Sequence, residues 1–282
     1  MLVISLTSIP PRFPKLFKTL NSLKQQRYPV GRLELCLPKR FKRFPDFEVS
    51  NVEVPDGVVL REVEKDLGPA TKVLPTAMAW RGRDVSILYC DDDKEFDPDW
   101  ATGFLKSFAF YKAKGHDRFA LASVGVCVDW YNGATSAIEK HRRPARQKPM
   151  LDFSYRWRKI KHQLSTKFLG NSASVPSRSR WFSSSGQIDI MEGYGGVLVE
   201  PQFFQQSDLE IPDPIWRVDD IWLSGLLASR QIPIFANHYS KLPQAHEFVG
   251  HGLAEEVASG LTRKDLDQMA IRYFQRKFGV WS

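Results

Sequence analysis

Residues 85–98 read VSILYCDDDKEFDP, an almost unbroken apolar run, Val85–Cys90, followed at once by Asp91, Asp92 and Asp93. A short apolar run without alternation is the mark of a strand covered on both faces, as in a parallel sheet. In open α/β sheets, ligands bind outside the carboxyl ends of the strands, so the three aspartates stand where a ligand would. Adjacent carboxylates repel one another unless a cation or donor hydrogens compensate. In extended chain Asp91 and Asp93 point to one side and Asp92 to the other. That spacing suits one carboxylate on a divalent metal and one on a ribose hydroxyl or a metal-bound water. Hard oxygen ligands favour Mn²⁺ or Mg²⁺. The competing account is an acidic turn with solvated aspartates.

Outward from this strand, strand and helix signals alternate. Leu2–Leu6 is an apolar strand, and Lys15–Gln26 carries Leu16, Leu20 and Leu23 at helical spacing. Leu33–Leu37 reads as a strand ended by Pro38, Val58–Val63 as another, and Thr71–Trp80 as a helix. Trp100–Lys114 is an amphipathic helix and Phe119–Val128 a further strand. This alternation predicts an α/β fold with a parallel, doubly wound sheet. The segment Tyr131–Ser185 breaks the pattern, and its serine-rich SASVPSRSRWFSSSG reads as a loop or lid. Regular structure resumes at Gly193–Glu200, with a helix over Asp219–Ser229, a strand over Ile232–Phe235 and a last amphipathic helix over Arg263–Phe278. The expected organisation is one domain over 1–282, with an insertion over 130–187 and a C-terminal helix over 263–282.

The chain has 282 residues and a net charge of +8, spread unevenly. Between Trp130 and Ser185 there are 12 Lys or Arg against 2 acids, so that segment carries +10 and the rest is near neutral at −2. A local basic device argues against a protein that coats nucleic acid, and no nucleic-acid partner is expected. No apolar run approaches the roughly 20 residues of a membrane-spanning helix. Cys36, Cys90 and Cys127 are dispersed and odd in number, which predicts reduced, mostly buried thiols. Met1–Thr7 lacks a basic leader, so the expected location is cytoplasmic, with peripheral attachment at an inner membrane face as an option.

Four further segments carry chemistry. In EKDLGPATKVL (Glu64–Leu74), Gly68–Pro69 makes a turn, Thr71 caps the next helix, and Lys72 stands at its start, a place for a diphosphate. Gly193–Gly196, GYGG, marks a close backbone approach or positive φ. In WRVDDIWL (Trp216–Leu223), Asp219 precedes the helix proper and is the better cap. Asp220 is then the carboxylate left to face a cleft as general base. His238, His246 and His251 fall together after the last strand, and one imidazole can complete a metal shell.

In combination these residues resemble the GT-A type of nucleotide-sugar-dependent glycosyltransferase, with an arrangement similar to exostosin-like and bacterial polysaccharide members. The order is what matches: a strand ending in Leu6-Thr7-Ser8 with Arg12 behind it, a DXD-type Asp91-Asp92-Asp93, a glycine loop, an acidic pair at a helix start, and a C-terminal histidine. The resemblance implies a mixed, mainly parallel sheet flanked by helices. It implies donor binding by Thr7, Ser8, Arg12, Asp66, Lys72, Asp91 and Asp92, and metal binding by Asp93 and Asp91 with His246 or His251. It places Gly195, Gly196 and Trp216 at the acceptor and Asp219 and Asp220 at the catalytic position. The implied reaction moves a sugar from a UDP-sugar, or less readily a GDP-sugar, to a hydroxyl of a glycan or glycolipid. A nucleotidyltransferase would open with a Gly-rich loop, which SLTSIPPRF lacks. A non-catalytic carbohydrate-binding module would not need clustered carboxylates.

Within the basic segment, Phe153, Trp157, Ile160, Leu164 and Phe168 form one helical stripe interleaved with Arg156, Arg158, Lys159, Lys161 and Lys167. Such a helix either covers the protein's own core or lies on an anionic membrane surface or acidic acceptor.

Overall fold

The computed structural model describes residues 1–49, 52–131, 143–169, 178–245 and 261–282. The chain opens with β1 (Leu2–Leu6), α1 (Phe13–Lys24), β2 (Arg32–Pro38), β3 (Val58–Val63), α2 (Leu74–Trp80) and β4 (Ser86–Tyr89). It continues through β5 (Lys94–Glu95), α3 (Trp100–Ala113), β6 (Ala120–Ala122), β7 (Gly125–Val126) and α4 (Phe153–Leu169). The remainder is β8 (Gln187–Ile188), β9 (Ile190–Met191), β10 (Val197–Val199), α5 (Asp219–Ser229), β11 (Ile234–Ala236), β12 (Gln244–Ala245) and α6 (Arg263–Phe278).

Eight strands form one mixed sheet in the order β3-β2-β1-β4-β10-β6-β11-β8. The first four pair in parallel, β10 runs antiparallel to both β4 and β6, β11 is parallel to β6, and β8 is antiparallel to β11. This is the mainly parallel, helix-flanked, Rossmann-like arrangement of the GT-A type. The two-residue period of each strand divides the core between two layers. Val3, Ile87 and Tyr89 face α2, α5 and α6, while Ile4, Leu6 and Leu88 face α1 and α3. Covered on both sides, β1 has all five residues buried, which is why its sequence LVISL does not alternate. The helix α6 is bounded by local chemistry, a reciprocal cap between Thr262 and Asp265 at its start and Gly279 at φ +65° after its end.

Three expectations are corrected. The helix expected from Thr71 begins only at Leu74, because Gly68–Lys72 forms a tight 3-10 turn first. The strand expected over Phe119–Val128 is two strands in different sheets, β6 in the large sheet and β7 paired with β9. The β7–β9 pairing requires glycine at its start, since a Cβ on Gly125 would stand 2.5 Å from the Ile190 carbonyl oxygen. The third correction falls on the parallel winding read from the alternation alone: β10 is antiparallel, which agrees with the mixed, mainly parallel sheet that the resemblance implied. Cys36 and Cys90 are buried and Cys127 half-buried, all as free thiols. No helix among the described residues is long and apolar enough to cross a membrane.

Candidate active site

Because β1, β2 and β4 are parallel, their carboxyl ends open on one edge, and a cavity of about 480 Å³ lies there. Thr7, Ser8 and Arg12 reach it from the end of β1, and all three aspartates reach it from the end of β4. Asp92 was expected to point away from Asp91 and Asp93. The strand instead stops at Tyr89 and the chain turns at Asp92–Asp93, so the alternation of an extended chain no longer holds.

Each aspartate meets its own cation. Asp92 is buried, 2.6 Å from Arg12 Nη1, and accepts a hydrogen bond from Ser8 Oγ. Asp91 Oδ1 lies 2.6 Å from Lys72 Nζ. Asp93 Oδ1 is buried and accepts no hydrogen bond among the described residues, with Lys94 Nζ 2.9 Å away. Thr7 turns its hydroxyl to the Cys36 carbonyl at 2.7 Å. Asp66 accepts the amides of Lys42 and Gly68, both at 2.8 Å, and so shapes the loop at the cavity wall.

Lys72 is the centre of the arrangement. It was expected at a helix start as a place for a diphosphate; it is 4% exposed, with Nζ 2.6 Å from Asp91 and 2.8 Å from Asp219. Burial works against its charge, but Asp219 and Asp91 overcome that and raise its pKa well above the usual lysine value. Burial likewise opposes ionisation of Asp91, and the ammonium of Lys72 outweighs it and holds that carboxyl below its ordinary range. Asp219 is therefore not the helix cap it was read as: α5 has no side-chain cap bond, and the carboxylate is spent on Lys72. Asp220 accepts the Gly193 amide at Oδ1, 2.9 Å away. Burial first, and then the neighbouring charge of Asp219, push Asp220 well above the usual carboxylate value.

The glycine loop serves the site differently from expectation. Gly195 and Gly196 do not line the cavity. A Cβ on Gly195 would meet Val124 at 2.5 Å, and one on Gly196, at φ +95°, would meet the Trp100 ring at 2.3 Å, so both pack against the interior. The loop shows Glu192 and Tyr194 to the cavity instead. A Cβ on Gly193 would stand 2.5 Å from Lys72 Nζ and 3.1 Å from Asp91 Oδ1. Since Lys72 is held between two carboxylates, it cannot simply swing aside. Gly193→Ala is thus expected to lower the melting temperature, because the buried Lys72–Asp91 contact would have to shift. Thermal melts of the variant and the parent, compared at one pH, check this.

Trp216 was expected at the acceptor. It lines the cavity beside Asp66 and Gly68, with Lys42 Nζ 4.6 Å from its ring centroid, on the wall assigned from sequence to the donor. His238 lies away from the cavity, against Tyr239 and Phe110. His246 and His251 lie outside the described residues. Among the described residues no three His, Cys, Asp or Glu side chains gather as a metal shell. Sequence reading missed Arg43, Arg263, Tyr131 and the Phe41–Phe44 wall, which all line the cavity. Arg43 and Phe44 follow β2 at the ligand edge, a signal that was available. Arg263 arrives from the start of α6 with none.

Neither a family model nor a curated protein matches this chain. Among solved structures, residues 1–349 of Staphylococcus aureus TarS align at 12% identity and a TM-score of 0.45, over 87% of this chain and 60% of that one. The same protein in complex with UDP-GlcNAc aligns at 12% identity and a TM-score of 0.47, over 99% of this chain and 73% of that one. Its complex with UDP aligns at a TM-score of 0.42, again over 60% of that chain.

Proposed function

We propose that this cavity binds a nucleotide diphosphate-sugar, with UDP favoured as the nucleotide, and transfers the sugar to a hydroxyl of a glycan or glycolipid. The observation that carries the reading is one cavity holding both guanidinium groups and a carboxylate of raised pKa, Asp220. Arg12 and Arg43 line one side, where burial and the nearby Arg217 and Arg12 lower the Arg43 pKa. Crowded guanidinium groups favour an incoming diphosphate. Phe41, Phe44 and Trp216 offer faces for a base or sugar ring.

In the transfer, the bond between the anomeric carbon and the diphosphate oxygen breaks and one to the acceptor oxygen forms. The acceptor proton passes to Asp220, which burial and the neighbouring charge of Asp219 make a stronger base than an ordinary carboxylate. Arg12 and Arg43 neutralise charge growing on the departing diphosphate. A divalent cation, Mn²⁺ or Mg²⁺, fits as a partner supplied with further oxygens by the donor, since such ions are usually held by one or two carboxylates plus substrate phosphates. Asp93, whose buried Oδ1 accepts no hydrogen bond among the described residues and lies 2.9 Å from Lys94 Nζ, and Asp91 would hold it, and it would neutralise charge on the leaving group.

Calorimetric titration of UDP with and without Mn²⁺ tests the proposal. The expected result is UDP binding that tightens with Mn²⁺ and weakens in Arg12→Ala. No UDP binding under either condition, with binding of a glycan alone, would leave a carbohydrate-binding module.

A further inference from the structure

The helix α4 is mounted with its apolar side outward. Phe153, Trp157, Ile160 and Leu164 are 76%, 62%, 47% and 51% exposed. The half-buried residues are the polar Tyr155, Arg158, His162 and Ser165, which fall on the opposite side of the helix. Ser154 and Arg158 border a second cavity together with Asp97, Ser179 and Lys241. The mounting is fixed at the N-terminal end by Asp152, which accepts from Ser154 Oγ at 2.9 Å, the Tyr155 amide at 3.0 Å and the Ser179 amide at 2.8 Å. These donors overcome burial and lower the Asp152 pKa to about 2.

The exposure is concentrated. Of the twelve exposed large hydrophobic residues among the described ones, six lie between Met150 and Leu164. Arg156 and Lys167 flank the stripe on one side and Lys161 on the other, with Lys159 further round, and no acid occurs in Phe153–Leu169. A second copy laid face to face would oppose cations with cations. An acidic protein groove would match the charge but not a continuous row of Phe, Trp, Ile and Leu side chains. An anionic lipid surface accepts both, since the rings enter the acyl boundary while lysine and arginine stay at the headgroups.

We propose that α4, with Met150 and Leu151 leading into it, is a peripheral docking element for an anionic lipid leaflet. The attachment is reversible and salt-sensitive, because a short apolar stripe and a few exposed charges must act together. This goes beyond the transfer reaction and does not depend on it.

The test is co-sedimentation of the full chain with phosphatidylcholine vesicles, with and without phosphatidylglycerol, at low and high salt. Binding is expected only with phosphatidylglycerol at low salt. The pair Trp157→Ala and Leu164→Ala is expected to abolish it, and the triple change Arg156→Gln, Lys159→Gln and Lys161→Gln to weaken it about 100-fold. All five side chains are exposed, so these variants keep the fold, and an unchanged melting temperature verifies that. The proposal is overturned by absence of binding, by equal binding to neutral vesicles, or by binding that survives both variants. It is also overturned if the Trp157 and Leu164 changes dissolve a dimer that binds no vesicles.

Discussion

Asp220→Asn is expected to lower kcat by about 100- to 10,000-fold, the range for loss of a positioned general base. The substitution is sterically mild, since the Asn amide oxygen can still accept the Gly193 amide that Asp220 Oδ1 accepts at 2.9 Å. The sign of the stability change follows from the raised pKa. A carboxyl raised by burial and by Asp219 stabilises the fold below its unfolded-state value, and that contribution is lost as pH rises through its folded value. Above the folded-state pKa of Asp220 the neutral Asn removes a strained charge, so in that range Asp220→Asn should melt at or above the temperature of the parent. In the parent, kcat/KM should rise with pH along a limb displaced upward from ordinary carboxylate titration. Parallel rate profiles and melting curves check both, and a variant with parental kcat would remove Asp220 from the reaction. On the proposed reading, donor binding is expected to be little changed, because Arg12 and Arg43 are untouched.

Lys72→Met is expected to have the larger effect on stability. The ammonium is 4% exposed and compensates Asp91 and Asp219 at 2.6 and 2.8 Å, and Asp220 stands in the same field. Removing one member of a buried ion pair leaves an uncompensated charge and costs about 3–5 kcal/mol. The pH dependence distinguishes this from simple misfit. In the parent, Asp91 is held below its ordinary value, so its contribution is present above the unfolded carboxylate pKa and lost as pH falls through the folded one. Without Lys72 the same carboxylates repel, and the variant should gain stability as pH falls and they protonate. Adding Asp219→Asn to Lys72→Met should restore part of the loss. Urea melts across pH measure all three outcomes, and a Lys72→Met chain as stable as the parent at neutral pH would contradict them. Turnover is expected to fall as well, since Asp91 and the Gly193 loop are positioned through this ammonium.

Local chemistry was legible in the linear chain. The mostly apolar runs of β1 and β4, the helix bounds of α5 at Asp219–Ser229 and those of α6 at Arg263–Phe278 follow from side-chain period and end signals, and the observed elements agree. The same reading brought Ser8, Arg12, Lys72 and the three aspartates toward one sheet edge, because strand ends and parallel winding need only the order of elements. Pairing across distance was not legible. Nothing in VLV says that β10 inserts antiparallel between β4 and β6, and nothing in LASVGV says that the run divides between two sheets. Asp219 reads as a cap until Lys72 is placed 2.8 Å from it, since a carboxylate at a helix start satisfies either partner equally well. Arg263 enters the cavity from the far end of the chain. The stripe of α4 has the same period whether it faces a core or solvent. Periodicity specifies a face, and only the packing of distant segments decides what that face meets.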